Sequence, residues 1–171
     1  MDATKGSTLT KDDGRITMLL KGLNHVATLT KDLDRLAAFY AEIFDAPLQR
    51  DGSEFPDDTG PRLGIIKIGE YAELNVFEIE GNTEADRQVP MFGRGRLDHF
   101  AVQAADLESF EEIRRRLMAA GAADAFVTDF GPMLSIFFRD PDGLEGEVCV
   151  ANPEHVPGVF NPPGTPAARF A

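Results

Sequence analysis

Apolar and polar positions along this chain change period twice, in the same order each time. From Leu23, "LNHVATLT" is a short, partly alternating apolar run that reads as a strand. Asp32 follows where a helix cap belongs, its carboxylate placed to accept a backbone N–H that the first turn leaves open. Apolar residues then recur at helical spacing, at Leu33, Leu36, Ala37, Tyr40, Ile43 and Phe44. From Leu97, "LDHFAVQAADL" runs the same way, with Asp106 as the cap and Leu107, Phe110, Ile113, Leu117 and Met118 as the helical stripe. Gly121 stands where that second helix should stop.

Strand candidates follow both helices. Behind the first are a weakly written "PLQRD", then "RLGIIKI" (62–68) and "AELNVFEI" (72–79). Behind the second they fall at about 125–129, 133–138 and 144–150. At an offset of 74 (99 − 25) five positions coincide, namely Leu23/Leu97, His25/His99, Ala27/Ala101, Asp32/Asp106 and Leu33/Leu107. The pattern predicts an α+β fold of two βαβββ modules, 22–80 and 96–150. A polar linker with Gly and Pro, 81–95, would join them. Residues 1–21 read as a flexible arm, and 151–171 as a Pro-rich tail draped over the surface.

Composition narrows the partners. With 17 basic against 29 acidic residues the formal charge is −12, which argues against nucleic acid or an anionic membrane. Cys149 is the only cysteine, so neither a disulfide within the chain nor a multi-cysteine metal site is possible. No apolar run approaches a membrane span and no signal-peptide pattern opens the chain, which makes a cytoplasmic location the default.

Candidate chemistry sits on the repeat itself. Two of the three histidines, His25 and His99, occupy the same position of the two copies. Duplicated modules place such residues around a pseudo-twofold axis, where two imidazoles can converge as a metal requires. Near the end, "DPDG" is a turn, and the strand after it alternates Glu145, Glu147 and Cys149 on one face with Leu144, Gly146, Val148 and Val150 on the other. Glu147 would add a carboxylate to the two imidazoles, a set suited to divalent Fe, Mn, Ni, Co or Zn with positions left open. Asp140 and Asp142 are expected to be turn formers, the Arg114–Arg116 run a solvated helix face, and Cys149 a buried inert thiol. His155 is expected to be exposed. Glu145 reads as solvated or as a base behind the ligands; Phe77, Phe130 and Phe137 could wall an apolar pocket.

His25 in "LNHVATLTKDLDRLAAFY", His99 in "LDHFAVQAADL" and Glu147 in "FFRDPDGLEGEV" resemble the vicinal oxygen chelate superfamily. That superfamily contains glyoxalase I, extradiol dioxygenases, fosfomycin-modifying enzymes, methylmalonyl-CoA epimerase and bleomycin-binding proteins. The resemblance covers about 22–150 and implies paired βαβββ modules curling into an incomplete barrel around one divalent metal. It implies His25, His99 and Glu147 as ligands. A fourth ligand position falls on "AELNVF", where the gap-free offset gives Glu73 (147 − 74) and the local apolar phasing gives Asn75. Phasing favours Asn75 near the site as a weak ligand or substrate donor, with Glu73 one pleat away.

The activity this implies is glyoxalase-like lyase or isomerase chemistry, in which adjacent oxygens of a small substrate are chelated and Glu147 or Glu73 moves a proton. Asn75, Phe77, Glu145 and Phe137 would contact that substrate. An Fe(II) extradiol-type dioxygenase and a metal-free ligand-sequestering protein are the alternatives. A homodimer is expected, because small two-module chains of this superfamily often pair and the weak second strand leaves an edge to cover.

Overall fold

The structure is a computed structural model that describes residues 22–51, 61–86, 97–124 and 126–155, with Leu19 and Gly93. The expected N-terminal arm and most of the tail lie outside the described residues. Helix α1 (Leu33–Phe44) starts as the cap predicts, the Arg35 N–H donating to Asp32 Oδ1 at 2.9 Å. Its apolar stripe of Leu33, Leu36, Ala37, Tyr40 and Ile43 is buried. Helix α2 (Leu107–Ala119) starts the same way, the Ser109 N–H donating to Asp106 Oδ1 at 2.8 Å. It ends at Gly121, whose φ of 67° lets Gly121 N–H reach Met118 O (3.1 Å) and Ala122 N–H reach Leu117 O (2.9 Å).

In the first module β1 (His25–Thr30), β2 (Leu48–Asp51), β3 (Arg62–Lys67) and β4 (Glu73–Glu78) form a sheet ordered β1-β4-β3-β2. In the second, β5 (Phe100–Gln103), β6 (Thr128–Asp129), β7 (Met133–Arg139) and β8 (Glu145–Ala151) repeat it as β5-β8-β7-β6. Each first strand pairs parallel with the last of its module, and the remaining pairs are antiparallel. These are open four-stranded mixed sheets, as two βαβββ modules require. The linker contains a short 3₁₀ turn, Glu84–Asp86. β5 is shorter than expected, so His99 lies in the extended lead-in to the strand.

One face of each sheet meets the helices and is dry. Leu74, Val76, Ile66, Leu134, Ile136, Phe138, Val148 and Val150 are all buried there. At Gly146 the backbone passes so close to the Phe138 ring that a Cβ would collide with it, which explains a glycine in the middle of a buried strand. The opposite face carries the polar residues that the period-two alternation separates from this core.

Two expectations about charged residues are corrected. The arginine run is not a uniformly solvated face: Arg114 is buried, and Arg116 crosses to the open end of α1. There it donates to Glu42 O and pairs with Asp45 Oδ1, both at 3.0 Å. Carbonyls at a helix C-terminus attract such a cation. Asp142 does more than form a turn. It accepts from Thr30 Oγ1 and pairs with the Arg35 guanidinium, each at 2.5 Å, so the second module's turn is fastened to the first module. Asp140 fits the turn role, its Oδ1 accepting the N–H groups of Asp142 (3.0 Å) and Leu144 (2.9 Å).

Candidate metal and substrate site

The polar face of the second sheet brings His99 and Glu147 together. His99 Nε2 lies 3.3 Å from Glu147 Oε2, and the carboxylate is buried. β8 places it there: Ala101↔Glu147 register sets Glu147 beside the strand that His99 introduces, and alternation turns both toward the polar face. Behind them, Ser135 Oγ donates a short hydrogen bond to Glu147 Oε1, and Asp98 Oδ2 stands 3.0 Å from His99 Nδ1. The Phe137 ring meets the imidazole edge-on at 5.7 Å between centroids.

Other residues of this face are also in place. Glu145 is buried, correcting the expectation of solvation, and its Oε2 lies 3.7 Å from Arg139. Cys149 is buried, and its thiol is pushed up to about 12, first by burial and then by the charge of Glu147. That agrees with an inert thiol. A cavity of about 320 Å³ opens beside His99, lined also by Val26, Thr28, Leu97, Phe100 and Leu144. A cleft of about 400 Å³ between α1 and α2 holds neither His99 nor Glu147.

The first sheet arranges its counterparts less tightly. His25 is exposed, and its Nδ1 meets Asn24 Oδ1 at 2.8 Å. The register pairs His25 with Glu73 and Ala27 with Asn75. Since Ala27 and Ala101 are equivalent in the repeat, Asn75 occupies the place that Glu147 holds in the second sheet. Asn75 Oδ1 is buried without a hydrogen-bond partner, while Glu73 faces Lys67 at 3.7 Å. Phe77 shares this face, half-buried. Phe130 is exposed in the turn before β7 and does not wall the cavity beside His99, and His155 is exposed as expected.

The family model of the glyoxalase/bleomycin resistance protein/dioxygenase superfamily matches residues 22–148. The chain belongs to that superfamily. Among solved structures, a glyoxylase/bleomycin resistance protein/dioxygenase domain from Frankia sp. is 24% identical with a TM-score of 0.63, over 80% of this chain and 96% of that one. Lactoylglutathione lyase from Agrobacterium tumefaciens is 22% identical, TM-score 0.53, over 78% and 96% of the two chains. The fosfomycin resistance protein FosX from Listeria monocytogenes, solved with Mn(II) and sulfate, is 20% identical, TM-score 0.54, over 80% and 98%. No curated protein matches the chain. These likenesses establish the superfamily fold and leave the reaction open.

Donor geometry tests whether a divalent ion fits. Ligands at about 2.0–2.2 Å from one ion sit about 3.0–3.4 Å apart when adjacent, and His99 Nε2 and Glu147 Oε2 meet that spacing at 3.3 Å. The third expected donor does not join them within the chain: among the described residues no group of three His, Cys, Asp or Glu side chains is placed to hold one ion, and His25 stands apart. Ser135, Asp98 and Asn24 were not singled out from the sequence. The last two were legible as the residues preceding each repeat histidine, and Ser135 as the single hydroxyl in "MLSIFF".

Proposed function

We propose that this protein is a divalent-metal-dependent lyase or isomerase that moves a proton on a small substrate bearing adjacent oxygens. The observation that carries the reading is the His99–Glu147 pair, two donors spaced for one ion on a buried polar face. Bound there, the ion would supply Lewis-acid polarisation of the substrate oxygens. The chain's own residues do the rest. With its Oε2 off the ion, Glu147 takes the proton from the substrate carbon and returns it to the neighbouring position, while the Ser135 hydroxyl holds Oε1 and so fixes the carboxylate in place. Phe137 and Phe77 give apolar walls that exclude water. Asn75, its carbonyl oxygen unpaired, orients a substrate hydroxyl. Glu73 and Glu145 are the reserve carboxylates of the two sheets.

The third ligand in this reading is His25 of a second copy. Its exposure on the first module supports that, as do the exposed Leu23 (58%) and Leu97 (63%), each two residues before a repeat histidine. One observation favours a second activity. An amide at Asn75 where the other sheet has Glu147 leaves only two imidazoles and one carboxylate, the set used by Fe(II) oxygenases.

Metal analysis of protein purified without chelator tests the first claim. One ion per chain is expected in wild type, and close to none in His99→Ala and Glu147→Gln. Equal occupancy in all three ends the reading. Turnover of 2-oxo-aldehyde thiol adducts without O₂ uptake selects isomerisation; O₂ uptake with catechols selects the dioxygenase.

A further inference from the structure

The far face of the first sheet changes character along its strands. Register puts His25, Glu73 and Lys67 in one row across β1, β4 and β3, and Glu73 stands 3.7 Å from Lys67. One pleat on, about 7 Å away, the row is Ala27, Asn75 and Ile65. One pleat further it is Leu29, Phe77 and Leu63. Charge therefore lies at the His25 end, a neutral amide in the middle and hydrocarbon at the other end. Leu29, Ile65, Leu63 and Phe77 are only half-buried, although Ile66, Leu74 and Val76 on the helix side of the same strands are fully enclosed. The second sheet is ordered differently. Its carboxylates Glu145 and Glu147 are buried, and its third row is Gln103, Cys149 and Ser135. Phe77 thus stands in the first module where the second has Cys149.

We propose that the first sheet is the specificity half of the site, and that the substrate carries an uncharged apolar body, about one ring in size, running from its adjacent oxygens toward Phe77. This rests on the metal reading above. A molecule held at the His25 row and lying along the strands meets Asn75 after one pleat and the Leu29–Phe77–Leu63 row after two, roughly 13 Å along. Three strands span about 10 Å at that row, which is room for one ring or a branched alkyl group. None of the side chains in the middle and last rows of these three strands is charged, so a second carboxylate there would lose water without gaining a partner. Half-exposed hydrocarbon, by contrast, is stabilised by an apolar cover. The second sheet cannot supply this seat, because Gln103, Cys149 and Ser135 offer little hydrocarbon at the matching row.

Three 2-oxo acids that share one chelating head test this: 2-oxobutanoate, 4-phenyl-2-oxobutanoate and 2-oxoglutarate. On Co(II)-loaded protein, read by the visible Co(II) spectrum, the phenyl acid should bind at least about tenfold tighter than 2-oxobutanoate, and 2-oxoglutarate no tighter. Phe77→Ala should cut that preference to below about threefold with Co(II) content unchanged, and Leu63→Ala should cut it less. In chelator-treated, ¹³C-methyl-leucine-labelled protein, benzyl alcohol should shift Leu29 and Leu63 and leave the buried Leu134 unmoved. Equal affinities, tightest binding of 2-oxoglutarate, an undiminished preference in both variants, or leucines that do not move overturn the proposal. So does a fall to monomer in Phe77→Ala by light scattering, which would make this face the seat of a second copy. A wild type that loads no Co(II) yet shows the leucine shifts overturns the metal reading and leaves the apolar seat standing.

Discussion

The two modules share a scaffold and differ in what they present on it. Around His99 the second sheet gathers Asp98, Glu147 and Ser135, with Glu145 and Cys149 on the same buried face. Around His25 the first sheet has Asn24, and Asn75 where Glu147 would be, on a face that is only half-covered. Amides stand in the first module at both places where the second has carboxylates. The difference teaches that a shared register fixes where a side chain stands and not what charge it carries. The second module presents carboxylates beside its histidine, and the first presents amides there, with Glu73 set one pleat away against Lys67.

The sharpest way to break this comparison is to divide the site between two chains. His25→Ala and Glu147→Gln should each lose metal. If the halves meet across a dimer, refolding the two variants together should restore about a quarter of wild-type occupancy, because half the dimers are mixed and each mixed dimer rebuilds one site of two. Recovery of none, with mixed dimers shown by native mass spectrometry, would place both halves in one chain.

A second contrast concerns packing. Gly146→Ala should cost about 2–3 kcal/mol in denaturant unfolding, since the buried Phe138 ring cannot withdraw. Gly64→Ala in the first sheet should cost about 1–2 kcal/mol, because it meets the methyl ends of Leu33 and Leu48, which can adjust. Equal costs would mean that both sheets are equally rigid.

The turn before β8 should make the second module pH-sensitive in a way the first is not. Burial, and then the charge of Asp142, raise Asp140 from the usual carboxylate value to about 6. The native state therefore holds this proton more tightly than the unfolded chain. Its contribution is complete below about 3.8 and is lost as pH rises through about 6. The loss is roughly 2–3 kcal/mol. Asp140→Asn keeps an acceptor oxygen for the turn and should remove this fall. The difference in unfolding free energy between wild type and variant should grow between these pH values; a constant difference refutes the assignment.

The smallest expected effect is one of sameness. Asp32→Ala and Asp106→Ala each remove a cap of like geometry, and each should lower Tm by about 2–4 °C. A much larger loss in one would show that its helix depends on the cap more than on packing.

Local rules made a large part of this protein legible in its sequence. The Asp caps, the helical stripes, the Gly121 stop and the alternation along β8 all depend on neighbours within a few residues, and all stand where the pattern placed them. So did the module repeat, whose likeness to a known family the family match bears out. The short β6, the burial of Glu145 and Arg114, and the reach of Asp142 and Arg116 between modules were not legible. Those depend on which surfaces meet after folding, and charged residues read as solvated until a partner from a distant segment is supplied. The candidate site divides along the same line. Residue type and period alone nominated His25, His99 and Glu147, because ligand chemistry is written in side chains. That His99 and Glu147 meet while His25 stands apart was decided only by the tertiary structure, because sheet register and the packing of one module on the other set distances that no local pattern contains.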